Sequence, residues 1–179
     1  MVPKKQFEKT SRVFPLIYFK RQYGFILATD SNLPANWSCR WGSGEIPFVF
    51  NFYSLSLKRL ISLVHKGHSY IEERSCLVFK ESNSMDLNQD QNNTYLYYSY
   101  SGVLENCCLP FFTKPVGRRL VLITPLCSLP AEVAHATLHG LGLRHPKNEP
   151  FAEYRTKSVL FPHHCPDYVR KIKMFNSKV

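Results

Sequence analysis

The chain has 179 residues and a formal net charge of +10, and 44% of its residues are hydrophobic. This apolar content excludes a disordered chain, and no apolar run approaches the roughly 18 residues that a membrane-spanning helix needs. Lysine and arginine are scattered along the chain, so the charge indicates a solvated basic surface and argues against a nucleic-acid partner.

The length predicts one domain rather than two. Residues 1–40 alternate basic and aromatic residues without a sustained period, so we expect an N-terminal extension or pro-segment there. They do not form a clean signal peptide. The domain itself is predicted at residues 41–179.

The predicted elements combine strands and helices. A strand from Ile46 to Phe50 precedes an amphipathic helix between Ser54 and Arg74, in which apolar residues recur at three- and four-residue spacings. The later elements are strands at 76–79, 95–100 and 120–123, a polar loop at 81–93, and a helix at 131–140 that has Pro130 in its first turn. This order predicts an α+β fold.

The last predicted helix carries a metal-binding motif. Residues 135–145 match the pattern H-x-x-x-H-x-x-G-x-x-H. His135 and His139 are four residues apart on one helical face, so both can bind one ion. Gly142 can adopt a left-handed conformation that ends the helix and returns the chain, which makes His145 a third ligand. The motif predicts one zinc ion per chain with an open fourth position.

Ala136 occupies the position where an H-E-x-x-H site has its glutamate, the general base that takes a proton from the attacking water. Loss of a general base costs about 10² to 10⁴ in rate. Glu132 is the candidate substitute, but an acid in the first turn of a helix is better explained by the helix dipole. His163 and His164 are adjacent and point in different directions, so we interpret them as surface residues.

The six cysteines form an even set without a C-x-x-C pair, which favours disulfides over a cysteine zinc site and indicates an oxidising compartment. Asn36 and Asn92 begin N-x-S/T sequons and are possible glycosylation sites. We therefore expect a secreted, extracellular protein.

These features resemble the astacin family of zinc metalloendopeptidases, a branch of the metzincins. The resemblance runs from about Trp41 to His145. Besides the zinc motif, it rests on Trp41 with Gly44 and Ile46-Pro47-Phe48, and on residues 71–79, which are similar to the family segment I-E-x-x-T-C-I-x-F.

The resemblance implies the N-terminal half of an astacin fold: a twisted mixed sheet, one backing helix and the zinc-binding helix. It also implies a disulfide between Cys107 and Cys127, for which Cys108 is the alternative partner of Cys127. The family's activity is the hydrolysis of internal peptide bonds in extracellular polypeptides.

The chain also departs from the family. Pro146 follows the third histidine where the family has a glutamate, and no S-x-M-H-Y Met-turn follows His145, so a shortened or rearranged C-terminal subdomain is expected. We expect a monomeric zinc metalloendopeptidase domain, weak or inactive because of Ala136, with a peptide or protein as substrate or ligand. The alternatives are a pseudoprotease that binds zinc and a peptide without cutting it, and a truncated gene product.

Overall fold

The computed structural model describes residues 19–21, 24–26, 33–83, 86–87, 93–102, 116–146 and 148–162. Its elements in chain order are β1 (Phe19–Arg21), β2 (Gly24–Ile26), a 3₁₀ helix (Cys39–Ser43), β3 (Glu45–Phe50), α1 (Leu57–Glu72), β4 (Val78–Glu81), β5 (Thr94–Tyr100), β6 (Gly117–Ile123), α2 (Pro130–Gly140) and α3 (Glu153–Leu160). Over these stretches, no helix has the length and apolar character of a membrane-spanning segment.

Four strands form a parallel sheet in the order β4-β3-β5-β6. Phe48 of β3 pairs with Glu81 on one side and with Leu96 on the other. The β5 and β6 strands pair along their whole lengths, from Thr94 and Gly117 onwards. The fold is therefore α+β with a parallel sheet. A mixed sheet was expected, but every pairing among the described strands of this sheet is parallel.

The two long helices cover the same face of the sheet. Leu96 and Tyr98 are two residues apart in β5, so both side chains point to that face. The Leu96 side chain lies against Gly140 of α2, and the Tyr98 hydroxyl bonds His68 of α1. Helix α1 also meets α2 directly, because Gly67 has no side chain to keep them apart.

A buried chain of hydrogen bonds joins these three elements. Thr137 Oγ1 donates to the carbonyl of Val133, 2.8 Å away. It must therefore accept from the Tyr98 hydroxyl at 2.9 Å. Tyr98 then accepts from His68 Nε2 at 2.8 Å, which assigns the His68 proton to Nε2. Since Thr137 lies between two predicted zinc ligands, this network fixes the rotation of α2 about its axis.

The predicted strands and helices up to residue 140 are confirmed, with bounds shifted by a few residues. Helix α3 was not predicted, because its sequence has a weak apolar pattern and buries only Val159.

Packing against the core reaches back to Leu33 and Trp37. The expected boundary near residue 40 stays a prediction.

Burial lowers the pKa of His68 to about 3, with a smaller contribution from His65. The folded protein therefore favours neutral His68, whereas the unfolded chain protonates it near pH 6.5. The contribution of His68 to the free energy of unfolding is fully present above about pH 6.5. It should fall as the pH drops from about 6.5 towards 3, by on the order of 1.4 kcal/mol per pH unit. Denaturant unfolding of the chelator-treated protein at several pH values measures this loss.

The control for this prediction is His68→Gln, which removes the titrating group. Other histidines contribute equally to both proteins, so the difference between the two unfolding free energies should shrink as the pH falls. Parallel curves would show that His68 does not carry the pH dependence.

Candidate metal centre

Helix α2 begins at a well-defined N-terminus. Pro130 is the first helical residue, where its missing N–H costs no hydrogen bond. Glu132 Oε2 accepts from the backbone N–H groups of Ser128 and Leu129, at 2.8 and 2.9 Å. The Glu132 carboxylate thus stabilises the start of the helix, in agreement with its interpretation as a first-turn acid.

The three histidines of the motif converge. His135 Nε2 lies 3.1 Å from His139 Nε2 and 3.0 Å from His145 Nε2. His135 and His139 are one turn apart on α2, and Gly142 turns the chain back to His145 with a φ of +110°. The structure therefore brings together the residues that the sequence predicted, by the predicted route.

Two backbone carbonyls set the tautomers of these histidines. The carbonyl oxygen of Leu143 lies 2.9 Å from His139 Nδ1, and that of Pro146 lies 2.8 Å from His145 Nδ1. A carbonyl only accepts, so in both rings Nδ1 carries the proton and Nε2 has its lone pair free. Both lone pairs then face the common point near His135 Nε2.

Burial lowers the pKa of His139 to about 4, although its bond to the Leu143 carbonyl acts in the opposite direction. Burial, and then the neighbouring His145, also lower the pKa of His135. These two imidazoles are therefore neutral at pH 7, which is the state that binds metal.

The three side chains could hold a metal ion, since their ligand atoms all lie within 4.8 Å of one another. A tetrahedral ion bound at about 2.0–2.1 Å places its ligand nitrogens roughly 3.3 Å apart, close to the spacings of His135 from its two partners. Within the described part of the chain, no carboxylate or thiolate joins this group.

Arg119 fixes the other end of α2. Its guanidinium is fully buried, stacks on the Trp41 ring with 4.5 Å between the charge centre and the centroid, and donates to the carbonyl of Asn36. It also lies 3.4 Å from the carbonyls of Gly140 and Leu141. A positive charge at the C-terminal end of a helix interacts favourably with the helix dipole and stabilises the helix.

Gly142 is tightly enclosed as well as left-handed. A Cβ added there would lie 2.4 Å from Asn36 Oδ1 and 3.1 Å from Pro34 Cβ. The N-terminal segment therefore packs on the turn that delivers His145. The half-buried side chain of Asn36, a possible glycosylation site from the sequence, faces this turn.

Ala136 is only 4% exposed. It follows His135 directly on α2 and belongs to the buried apolar cluster. Its side chain can neither accept nor donate a proton, so the described centre has ligands for an ion but lacks the general base of an H-E-x-x-H site.

The remaining predicted residues are partly outside the described chain. Cys127 is disulfide-bonded, as is Cys76, while Cys39 is free and exposed. Cys107 and Cys108 lie outside the described residues, so the pairing of Cys127 stays a prediction. Asn92, His163 and His164 also lie outside them.

One contact at the centre was missed from the sequence. The ring of Phe151 packs against all three histidine rings. Phe151 lies in a polar segment with two prolines that has no periodic apolar pattern. Its sequence distance from the histidines gave no reason to expect a contact.

A cavity of about 200 Å³ lies elsewhere, beside α1 and β4, and includes none of the three histidines. Its lining residues are Phe48, His65, His68, Ser69, Glu72, Phe79 and Glu81. Their ligand atoms do not form a group that could hold a metal. The histidine centre, rather than this cavity, is therefore the candidate functional site.

Comparison with protein-family models found no match, and comparison with curated proteins found none either.

We predict that Gly142→Ala destabilises the protein and weakens metal binding. The left-handed conformation costs an alanine about 1–2 kcal/mol, and the contact with Asn36 adds to this and displaces His145. Gly117→Ala is the matched control, since Gly117 has a φ of +96° with nothing within 4 Å of an added Cβ. Chemical unfolding and metal titration of both variants test this. Equal losses in both would contradict a role for the packing at Gly142.

Proposed function

We propose that this chain is an astacin-like zinc metalloendopeptidase domain in which peptide hydrolysis is weak or absent because Ala136 replaces the general base. The convergence of His135, His139 and His145 on one point carries the proposal. The motif supplies this geometry through a helix, a glycine turn and a returning segment, the arrangement that the family resemblance implies.

Zinc is the proposed metal because of the donor set. Three neutral imidazoles suit Zn²⁺, and a fourth position left open by three protein ligands is typical of catalytic rather than structural zinc. When bound, the ion would supply Lewis acidity towards a peptide carbonyl.

The protein's own residues orient the ligand imidazoles. The carbonyls of Leu143 and Pro146 hold the imidazoles of His139 and His145 with their Nε2 lone pairs towards the point where an ion would bind. In the family a glutamate follows the third histidine; here the Pro146 carbonyl provides an acceptor for that ligand.

Proton transfer has no comparable support in the described centre. Ala136 has no proton acceptor, and the Glu132 carboxylate bonds the N-terminus of α2. A bound peptide carbonyl could therefore be polarised without an adjacent base to activate water.

A second candidate is a pseudoprotease that binds zinc and a peptide without cleavage. Ala136 favours it, because this position beside the ligands is buried and carries no proton acceptor. In both cases the expected partner is an extracellular peptide or protein and the expected state a monomer. The disulfide-bonded Cys76 and Cys127 support an oxidising compartment.

We predict that the protein binds one zinc ion per chain and that His139→Ala lowers the metal content to background, because only two ligands then remain. Metal analysis of the dialysed protein measures this. His65→Ala is the matched control, since His65 lies on α1 outside the histidine group. Full zinc content in His139→Ala would show that the metal binds elsewhere.

The next prediction separates metal binding from hydrolysis. The zinc-loaded wild-type protein should cleave no peptide substrate above background. Ala136→Glu and Ala136→Gln should keep the same zinc content, with thermal unfolding to check that both variants fold, because position 136 is buried. Glutamine matches glutamate in size but cannot take a proton. Any chelator-sensitive cleavage that is gained should therefore occur in Ala136→Glu alone.

Brisk, chelator-sensitive cleavage by the wild-type protein would contradict this assignment. Glu132→Gln would then be the first variant to test, with its effect on the stability of α2 followed by unfolding, because that carboxylate also caps the helix.

A further inference from the structure

The ring of Phe151 lies over the centre of the histidine triangle. Its centroid is 4.7 Å from the ring centroid of His135, 5.0 Å from that of His139 and 4.4 Å from that of His145. The three imidazole centroids are themselves 4.9–5.1 Å apart. Because the Phe151 centroid is almost equally far from the three imidazole centroids, it lies close to the line that passes through the centre of their triangle at right angles to its plane.

This placement determines where an ion can bind. An ion about 2.0–2.1 Å from all three nitrogens would lie about 1.4 Å to one side of the plane of the imidazole centroids. The distances place the Phe151 centroid about 3.7 Å from the same plane. On the side of Phe151, the ion would be only about 2 Å from the ring centroid, closer than contact allows. A bound ion would therefore lie on the opposite side.

The geometry points to Phe151 as a positioning residue that backs the three imidazoles and leaves the open coordination position on the side away from its ring. This inference rests on the proposed zinc site. The Nδ1 bonds to carbonyls orient His139 and His145, and the Phe151 ring adds a contact that all three imidazoles share. Imidazoles that are already oriented lose less freedom when an ion binds.

The segment that carries Phe151 is held in place by helix α3, which follows it. Helix α3 begins two residues later, and its Val159 is fully buried in the core. The carbonyl of Leu160 accepts from the backbone N–H of Cys76 at 3.0 Å. The segment that follows His145 is therefore anchored at both ends, by the turn at Gly142 and by α3.

The test compares zinc affinity in the full chain, by competition with a chromophoric chelator, and the visible absorption of the Co²⁺-substituted protein. Phe151→Ala should weaken zinc binding by about 10- to 100-fold, the range for residues that orient metal ligands, and should alter the Co²⁺ bands. Phe151→Tyr keeps the ring and should stay close to wild type.

Phe161→Ala is the matched control, because Phe161 is another aromatic residue of the C-terminal segment, 44% exposed. It should leave affinity and spectrum unchanged. Thermal unfolding of the metal-free proteins checks that each variant folds. If Phe151→Ala does not, Phe151→Leu, which keeps apolar volume without the ring, takes its place and should also bind zinc more weakly.

Equal affinity in wild type and Phe151→Ala overturns this inference alone and leaves the zinc site standing. Tighter binding in Phe151→Ala also overturns it, since the ring would then obstruct the ion rather than support its ligands. A wild-type protein that binds no zinc overturns the proposed function and this inference together.

Discussion

The close approach of helix α2 to the sheet and to α1 is the constraint on which the candidate metal centre depends. A Cβ on Gly140 would lie 2.7 Å from Val121 Cγ2, and one on Gly67 would lie 2.6 Å from Val133 Cγ1. At this distance the guanidinium of Arg119 on β6 reaches the last carbonyls of the helix. Its pKa is lowered to about 10 by burial, so it remains a cation at neutral pH. Two glycines and one buried charge thus fix the helix that carries two of the three ligands.

The sequence predicted the elements of this fold better than their arrangement. Helix α2 and its ligands were predictable because residue spacing alone places His135 and His139 on one face, and Gly142 at the end. The parallel pairing of β5 with β6 and the packing of Asn36 on Gly142 were not predictable, because both join segments that are distant along the chain. Helix α3 was missed for a local reason, since it buries a single residue.

The support of the third ligand shows a limit of motif comparison. Pro146 stands where the family has a glutamate, so the side chain at this position offers His145 no acceptor. The structure gives His145 Nδ1 an acceptor in the carbonyl oxygen of Pro146 itself. A backbone carbonyl belongs to every residue type, so orientation of a ligand by the backbone leaves no trace in the sequence.

Metal binding and proton transfer are separable in this centre because they depend on different residues. The helical spacing, the turn at Gly142, two backbone carbonyls and the ring of Phe151 orient the ligands, and none of these involves the side chain at position 136. Proton transfer would depend on that one side chain. Alanine suits a position that is only 4% exposed, and its small side chain leaves the ligand geometry intact. The geometry of the three histidines therefore does not depend on whether position 136 carries a base.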